Sequence, residues 1–316
     1  MKENRYLPEG SLIGTYENEM YLSSPKMLEK AMREERILEG IAASCKGETM
    51  ELSVNLGCAV GIIPRMEAAM EKDGEDGPRD IAIITRVGRP VSFVVTDIWE
   101  EGGVCYATLS RKRAQEMCQM GYISRLRPGD IIPAAVTHLD PFGAFVDIGC
   151  GIVSLLSVDC ISISRISHPG DRLKKGDFIN AVVKAVDRES GRIYMSLREL
   201  LGTWEENAAA FEIGSTVVGC VRSVEDYGIF VELSPNLAGL AERRDGISVG
   251  DLCAVYIKNI IKERMKIKLS IIDSYINHSD RPPLKYFIDT DTCTHISYWK
   301  YSPDGCPKLI ETVFEG

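Results

Sequence analysis

At 316 residues, with 45% hydrophobic and 26% charged side chains, the chain has a globular composition and the length of two to four domains rather than one. Its longest apolar runs, such as Ile81–Ile84 and Ile260–Ile261, fall far short of the ~20 residues a bilayer crossing requires. The stretch MKENRYLPEG lacks a signal peptide's apolar centre, so a cytoplasmic location is expected, and ten scattered cysteines without a CxxC pair fit reduced thiols there.

The net charge of −9 argues against indiscriminate nucleic-acid binding. The charge is unevenly spread, however: residues 126–199 carry nine Lys/Arg against nine Asp/Glu, and residues 212–273 carry eight against nine. A locally basic face is compatible with an acidic whole, because binding follows the local field.

In chain order, residues 1–38 form an N-terminal segment whose part 24–38 predicts a helix, with Ser24 as cap and Pro25 in the first turn. Residues 39–112 are a divergent copy of a repeat that is clearer downstream. Residues 113–125 are a helical linker, the helix-forming run being Arg111–Tyr122. The repeat then occurs at 126–199 and, shortened, at 212–273, with a linker at 200–211 whose Thr203 suits an N-cap. Self-alignment pairs Gly129 with Gly214, Val136 with Val221, and FGAFV (142–146) with YGIFV (227–231). In the first copy the same alignment places Lys46 and Thr49 where the second has Phe142 and Phe145. Residues 274–316 read as a β-hairpin extension, with Pro303-Asp304-Gly305 as the turn.

Each copy reads as β. Alternation directs Ala144, Val146 and Ile148 inward and Phe145 and Asp147 outward. It likewise directs Ile229, Val231 and Leu233 inward and Phe230 and Glu232 outward. In the closing strands Ile193, Met195 and Leu197 point in, and Arg192, Tyr194, Ser196 and Arg198 point out; Ile267 and Leu269 point in, and Lys266 and Lys268 out. Five short strands in ~70 residues suggest tandem five-stranded barrels of the oligonucleotide-binding type joined by short helices.

An outward Phe forgoes roughly 1.5–3 kcal/mol of burial, yet both clearer copies flank the turn glycine with rings: Phe142 and Phe145, then Tyr227 and Phe230. Cations leave the closing strand on the same surface, Arg192 beside Tyr194 and Lys266 beside Lys268. Rings that stack on bases beside cations that meet phosphates suit single-stranded nucleic acid. The alternative is that the rings cap the open end of the barrel or pack on the linker helix.

These residues resemble the S1 RNA-binding domain, and the layout is similar to the bacterial ribosomal protein S1 family. The signature is Gly129, FGAFV (142–146), Gly176-Asp177 and MSL (195–197), then Gly214, YGIFV (227–231), Gly250-Asp251 and KLS (268–270). The linker TWEENAAAFEIG (203–214) resembles the family's spacer, and VGIIPRMEA (60–68) with LSRKRA (109–114) its divergent first repeat. The resemblance implies mRNA binding in translation near the small ribosomal subunit, through Phe142, Phe145, Asp187 and Arg192, with no cofactor. It leaves the oligomeric state open. The family's third-strand histidine is replaced by Ser157 in the second copy and Glu242 in the third, where Arg243 and Arg244 are candidates to offset the carboxylate. Rival readings are a regulator of RNA turnover and a protein scaffold with weakened RNA affinity.

Catalytic patterns are not found: the four histidines (138, 168, 278 and 295) lie in no HExxH and at no spacing to a nucleophile, and no phosphate-cradling glycine motif occurs. His278, Cys293, His295 and Cys306 are poorly spaced for zinc, so no metal is expected. Packing of the hairpin on the third barrel is the simpler expectation; a protein-binding patch of Tyr298, Trp299 and Tyr301 is the alternative.

Overall fold

Three times along the chain, five strands close on themselves in one order. In the computed structural model, which describes residues 6–70, 77–275 and 284–315, the first barrel holds β1 (Leu38–Cys45), β2 (Leu52–Asn55), β3 (Val60–Ile63), β4 (Pro90–Glu101) and β5 (Val104–Ser110). The second holds β6 (Ile131–Asp140), β7 (Gly143–Asp147), β8 (Val153–Ser157), β9 (Phe178–Asp187) and β10 (Arg192–Ser196). The third holds β11 (Thr216–Glu225), β12 (Gly228–Ser234), β13 (Leu237–Ala241), β14 (Leu252–Ile261) and β15 (Lys266–Tyr275). In each, the first three strands form a meander and the fifth inserts between the third and the fourth, pairing parallel with the third. Closure leaves no sheet edge to pair elsewhere.

Helices punctuate the barrels. α1 (Tyr16–Leu22), capped by Thr15, and α2 (Pro25–Arg33), capped by Ser24, precede the first barrel. The expected helix over 24–38 stops early because Glu35 takes a left-handed φ of 47° and the chain then enters β1. α3 (Asp80–Ile84) lies between β3 and β4. α4 (Arg111–Gly121), capped by Ser110, matches the predicted linker helix. α5 (Trp204–Ala208) begins with a capping box in which Thr203 and Glu206 satisfy each other's N–H groups. No helix among the described residues is long and apolar enough to cross a membrane.

The chain divides into two compact units. One runs to Leu126 and takes in Pro133–Ala135 and Asp147–Val153; the other comprises the remainder. The first unit is centred on Leu52, Val54, Ile63, Phe93, Ala107 and Leu109. In the second, Val221, Ile229, Val231, Val255, Ile267 and Leu269 fill the third barrel.

Three outward predictions fail, for one reason: alternation assigns a face but not what covers it. Asp147 is buried, its carboxylate accepting N–H groups from Glu9 (2.7 Å), Gly149 (2.8 Å) and Gly151 (3.0 Å). Ser196 is buried against the Glu199 carboxylate. Glu232 lies between two guanidiniums: Arg222 donates to it at 2.8 and 3.1 Å, and Arg172, from the connection between β8 and β9, donates to the same carboxylate.

This ion cluster ties the second barrel's β8–β9 connection to the third barrel. Asn236, fully buried in the β12–β13 turn, adds to it: its side-chain oxygen accepts Ile163 N–H (2.9 Å) and its amide donates to the carbonyls of Arg198 and Gly202 (2.8 Å each). The hairpin expected in the tail is present as β16 (Tyr298–Lys300) and β17 (Glu311–Val313). It packs on the third barrel, with Trp299 and Tyr301 in that core. A patch of three exposed rings is thereby excluded; of the three, only Tyr298 is exposed.

The tail also reaches the second barrel. Ile131 N–H donates to Thr294 O and Ile296 N–H to Gly129 O (both 2.9 Å), His295 meets Asp130 at 2.8 Å, and Asn180 bonds to Tyr286 and Thr290. His278 lies outside the described residues. Among the described residues no group of three or more His, Cys, Asp or Glu is placed to hold a metal ion.

Candidate nucleic-acid interface

Gly143 and Gly228 begin the second strand of their barrels. A Cβ on Gly143 would lie 2.7 Å from Leu156 O, and one on Gly228 2.5 Å from Ala241 O, so each glycine lets the third strand close in. The rings flanking each glycine are thereby set on one surface. Phe142 is 55% exposed and Tyr227 70% exposed, while Phe145 and Phe230 are half-buried. Phe142 stands edge-on to Phe145, with centroids 5.8 Å apart and planes at 88°; Tyr227 and Phe230 repeat this at 6.1 Å and 87°. One exposed ring braced by a half-buried one is a rigid stacking surface. Neither pair is sealed in its barrel.

Register carries this surface across the sheet. In the third barrel Ser223, Phe230, Leu240, Lys268 and Asn259 are cross-strand partners in one row. In the second, Leu155, Tyr194 and Ala185 form the matching part of the row. Tyr194 is half-buried there, whereas Lys266 and Lys268 are exposed.

Asp187 and Arg192 face each other at the end of the β9–β10 hairpin. Asp187 caps that turn, accepting the Ser190 hydroxyl and the N–H groups of Glu189 (3.1 Å) and Ser190 (3.2 Å). These bonds, the Ser190 hydroxyl first, hold its carboxyl below the usual range. Asp187 thus shapes the turn that presents the exposed Arg192. The equivalent third-barrel pair is Ile261 and Lys266.

Glu242 does not project freely. Lys258 binds it at 2.9 Å and lowers its pKa, whereas Arg243 pairs with Asp226 (2.8 Å) and Arg244 donates to the carbonyls of Ile271 and Ile272. The offset expected of Arg243 and Arg244 comes from Lys258 instead.

In the first barrel the expected alignment slips by four residues. Val54 faces Gly61 as Val231 faces Gly239; counting back from Val54 puts the ring positions at Met50 and Ser53, not Lys46 and Thr49. A longer β1–β2 turn, where Lys46 pairs with Glu51 at 3.2 Å, causes the slip. The resulting row, Ser53, Ile62, Thr108 and Asp97, contains neither ring nor cation.

One further ring lies beside this surface without any signal from spacing along the chain. His138 on β6 lies alongside Phe145, with centroids 6.1 Å apart and planes at 25°. Pairing across the hairpin supplies one: a β6–β7 turn centred on residues 141 and 142 puts 138 opposite 145.

The S1 RNA binding domain family matches residues 125–198. The small ribosomal subunit protein bS1 of Leuconostoc lactis is 36% identical over 173 residues, 52% of this chain and 39% of that protein. The bS1 of Chlamydia trachomatis is 30% identical over 162 residues, 47% of this chain and 28% of that protein. A stretch of 160 residues, 47% of this chain, is 34% identical to 25% of the 4-hydroxy-3-methylbut-2-enyl diphosphate reductase of Clostridium acetobutylicum. The chain therefore spans less than two fifths of the length of each of these relatives. The second barrel thus matches the S1 RNA-binding domain, the barrels before and after it in the chain share its strand order, and about half the chain aligns with bS1 proteins.

Proposed function

We propose that this protein binds single-stranded RNA, mRNA in particular, and acts in translation in the cytoplasm beside the small ribosomal subunit. The observation that carries the reading is the twice-repeated pair of perpendicular rings left open to solvent. Stacked bases contribute about 1–3 kcal/mol each, and Arg192, Lys266 and Lys268 lie where phosphates would follow the bases. The bS1 relatives supply the translational setting. Phe142, Phe145, Tyr194, Tyr227 and Phe230 are assigned to bases, and Asp187 to holding the turn behind Arg192. The second barrel binds most tightly, the third less because of Glu242, and the first serves as support. No catalytic step is assigned, and the reductase relative shares only a quarter of its length with this chain.

Fluorescence anisotropy of the full chain with single- and double-stranded RNA tests this. Expected are a clear preference for the single strand, a steep salt dependence, and a loss of about 5- to 150-fold for Phe145→Ala. Equal affinity of Phe145→Ala and wild type would remove the assignment. Co-sedimentation with small subunits tests the setting separately.

A further inference from the structure

We propose that His138 is a third ring of the second barrel's platform and stacks on an unpaired base. The inference rests on the RNA-binding reading above. His138 has no role in the core: its side chain is 64% exposed. Two contacts nevertheless fix its plane. Phe145 lies alongside, the planes 25° apart, and Asp140, two residues along the same strand and so on the same face, approaches Nε2 at 3.4 Å. A strand histidine held parallel to a neighbouring phenylalanine, its ring open to solvent, continues the stacking surface from β7 onto β6.

The equivalent position in the third barrel is Ser223, in register with Phe230, so only the second barrel has this extension. The ring also answers a deficit. On β8, where the S1 resemblance leads one to expect a histidine, the chain has Ser157; His138 returns an imidazole to the same platform from the opposite side of Phe145. Stacking, not a phosphate contact, is the role the surroundings favour, because the Asp140 carboxylate 3.4 Å from Nε2 would repel a phosphate approaching the ring. The ligand is a nucleobase of the strand bound to Phe142 and Phe145, one position further along.

The test is anisotropy of the full chain with a single-stranded RNA decamer at several salt concentrations, for wild type, His138→Ser, His138→Phe and Phe145→Ala. Expected are an affinity loss of about fivefold or more for His138→Ser, affinity within about twofold of wild type for His138→Phe, and an unchanged salt slope for both. Should His138→Phe bind as weakly as His138→Ser, stacking is overturned; a salt slope shallower by about one would then reassign the residue to phosphate. Wild-type affinity in His138→Ser with a loss in Phe145→Ala rejects the third ring and leaves the platform standing. No change in either serine or alanine variant rejects the platform itself.

Discussion

Glu232→Gln removes one charge from a cluster in which two guanidiniums depend on it. The Glu232 side chain is 8% exposed and that of Arg172 4%. Arg172 also bonds from Nη1 to the Asp171 carbonyl at 3.3 Å, and its buried Nε has no partner among the described residues. Arg222 is better placed, keeping Asp171 at 3.4 Å. Breaking a buried ion pair from one side costs about 3–5 kcal/mol, because the remaining charge stays desolvated. As Arg222 retains a partner, the lower figure, about 3 kcal/mol, is expected. With a urea slope of roughly 1–3 kcal/mol/M, the midpoint should fall by about 1–3 M. Trp204 and Trp299 both lie in the third-barrel core, so tryptophan fluorescence follows the unfolding of the affected unit. The double variant Arg172→Met/Glu232→Leu, which removes both charges and fills the space, should recover most of the loss. If Glu232→Gln moves the midpoint by less than about 0.3 M, the cluster is not what couples the two barrels.

Three further outcomes are expected. Glu242→Gln, tested in a Phe145→Ala background so that the third barrel dominates, should raise RNA affinity about two- to fivefold by freeing Lys258; anisotropy showing a decrease would reverse the role given to Glu242. Burial pushes the carboxyls of Glu39 and Asp147 up to about 7, so the folded first unit binds protons that the unfolded chain has released. Its stability should fall as pH rises from about 4.5 to 7, by up to about 1.4 kcal/mol per pH unit for each group, and hydrogen exchange across β1 showing the opposite trend would contradict this. Gly129→Ala places a methyl 2.1 Å from Ile296 O at φ +93°, whereas in Gly214→Ala (φ +89°) the nearest atom is 3.8 Å away. Both carry ~1–3 kcal/mol of backbone strain, but only Gly129→Ala should release the tail to limited proteolysis.

Much of this architecture was legible in the residues. The self-alignment located the second and third barrels, and the rings beside Gly143 and Gly228 emerged on the surface to which alternation assigned them. What stayed hidden depended on neighbours distant in sequence. Asp147 and Glu232 obey the two-residue period yet are buried, because Glu9 and Arg172 cover them from 138 and 60 residues away. The slip in the first copy arose because similarity faded where the β1–β2 turn lengthens, and only the facing of Val54 and Gly61 restores the count. α1 was missed because its signals are local: Thr15 caps seven residues that bury only Asn18 and Tyr21. His138 was visible as a histidine but not as Phe145's neighbour, since pairing across a hairpin, not spacing along the chain, brings the two rings together.

The tail's bonds to residues 129–131 have a temporal side. Thr294, which receives the Ile131 N–H, is synthesised 163 residues after it (294 − 131). At a ribosomal rate of about 5–20 residues per second, that interval is roughly 8–33 s. Throughout it, the nascent second barrel carries its platform rings with the entrance to its first strand still unlatched. Latching of that entrance therefore waits until residues 294–296 have left the exit tunnel.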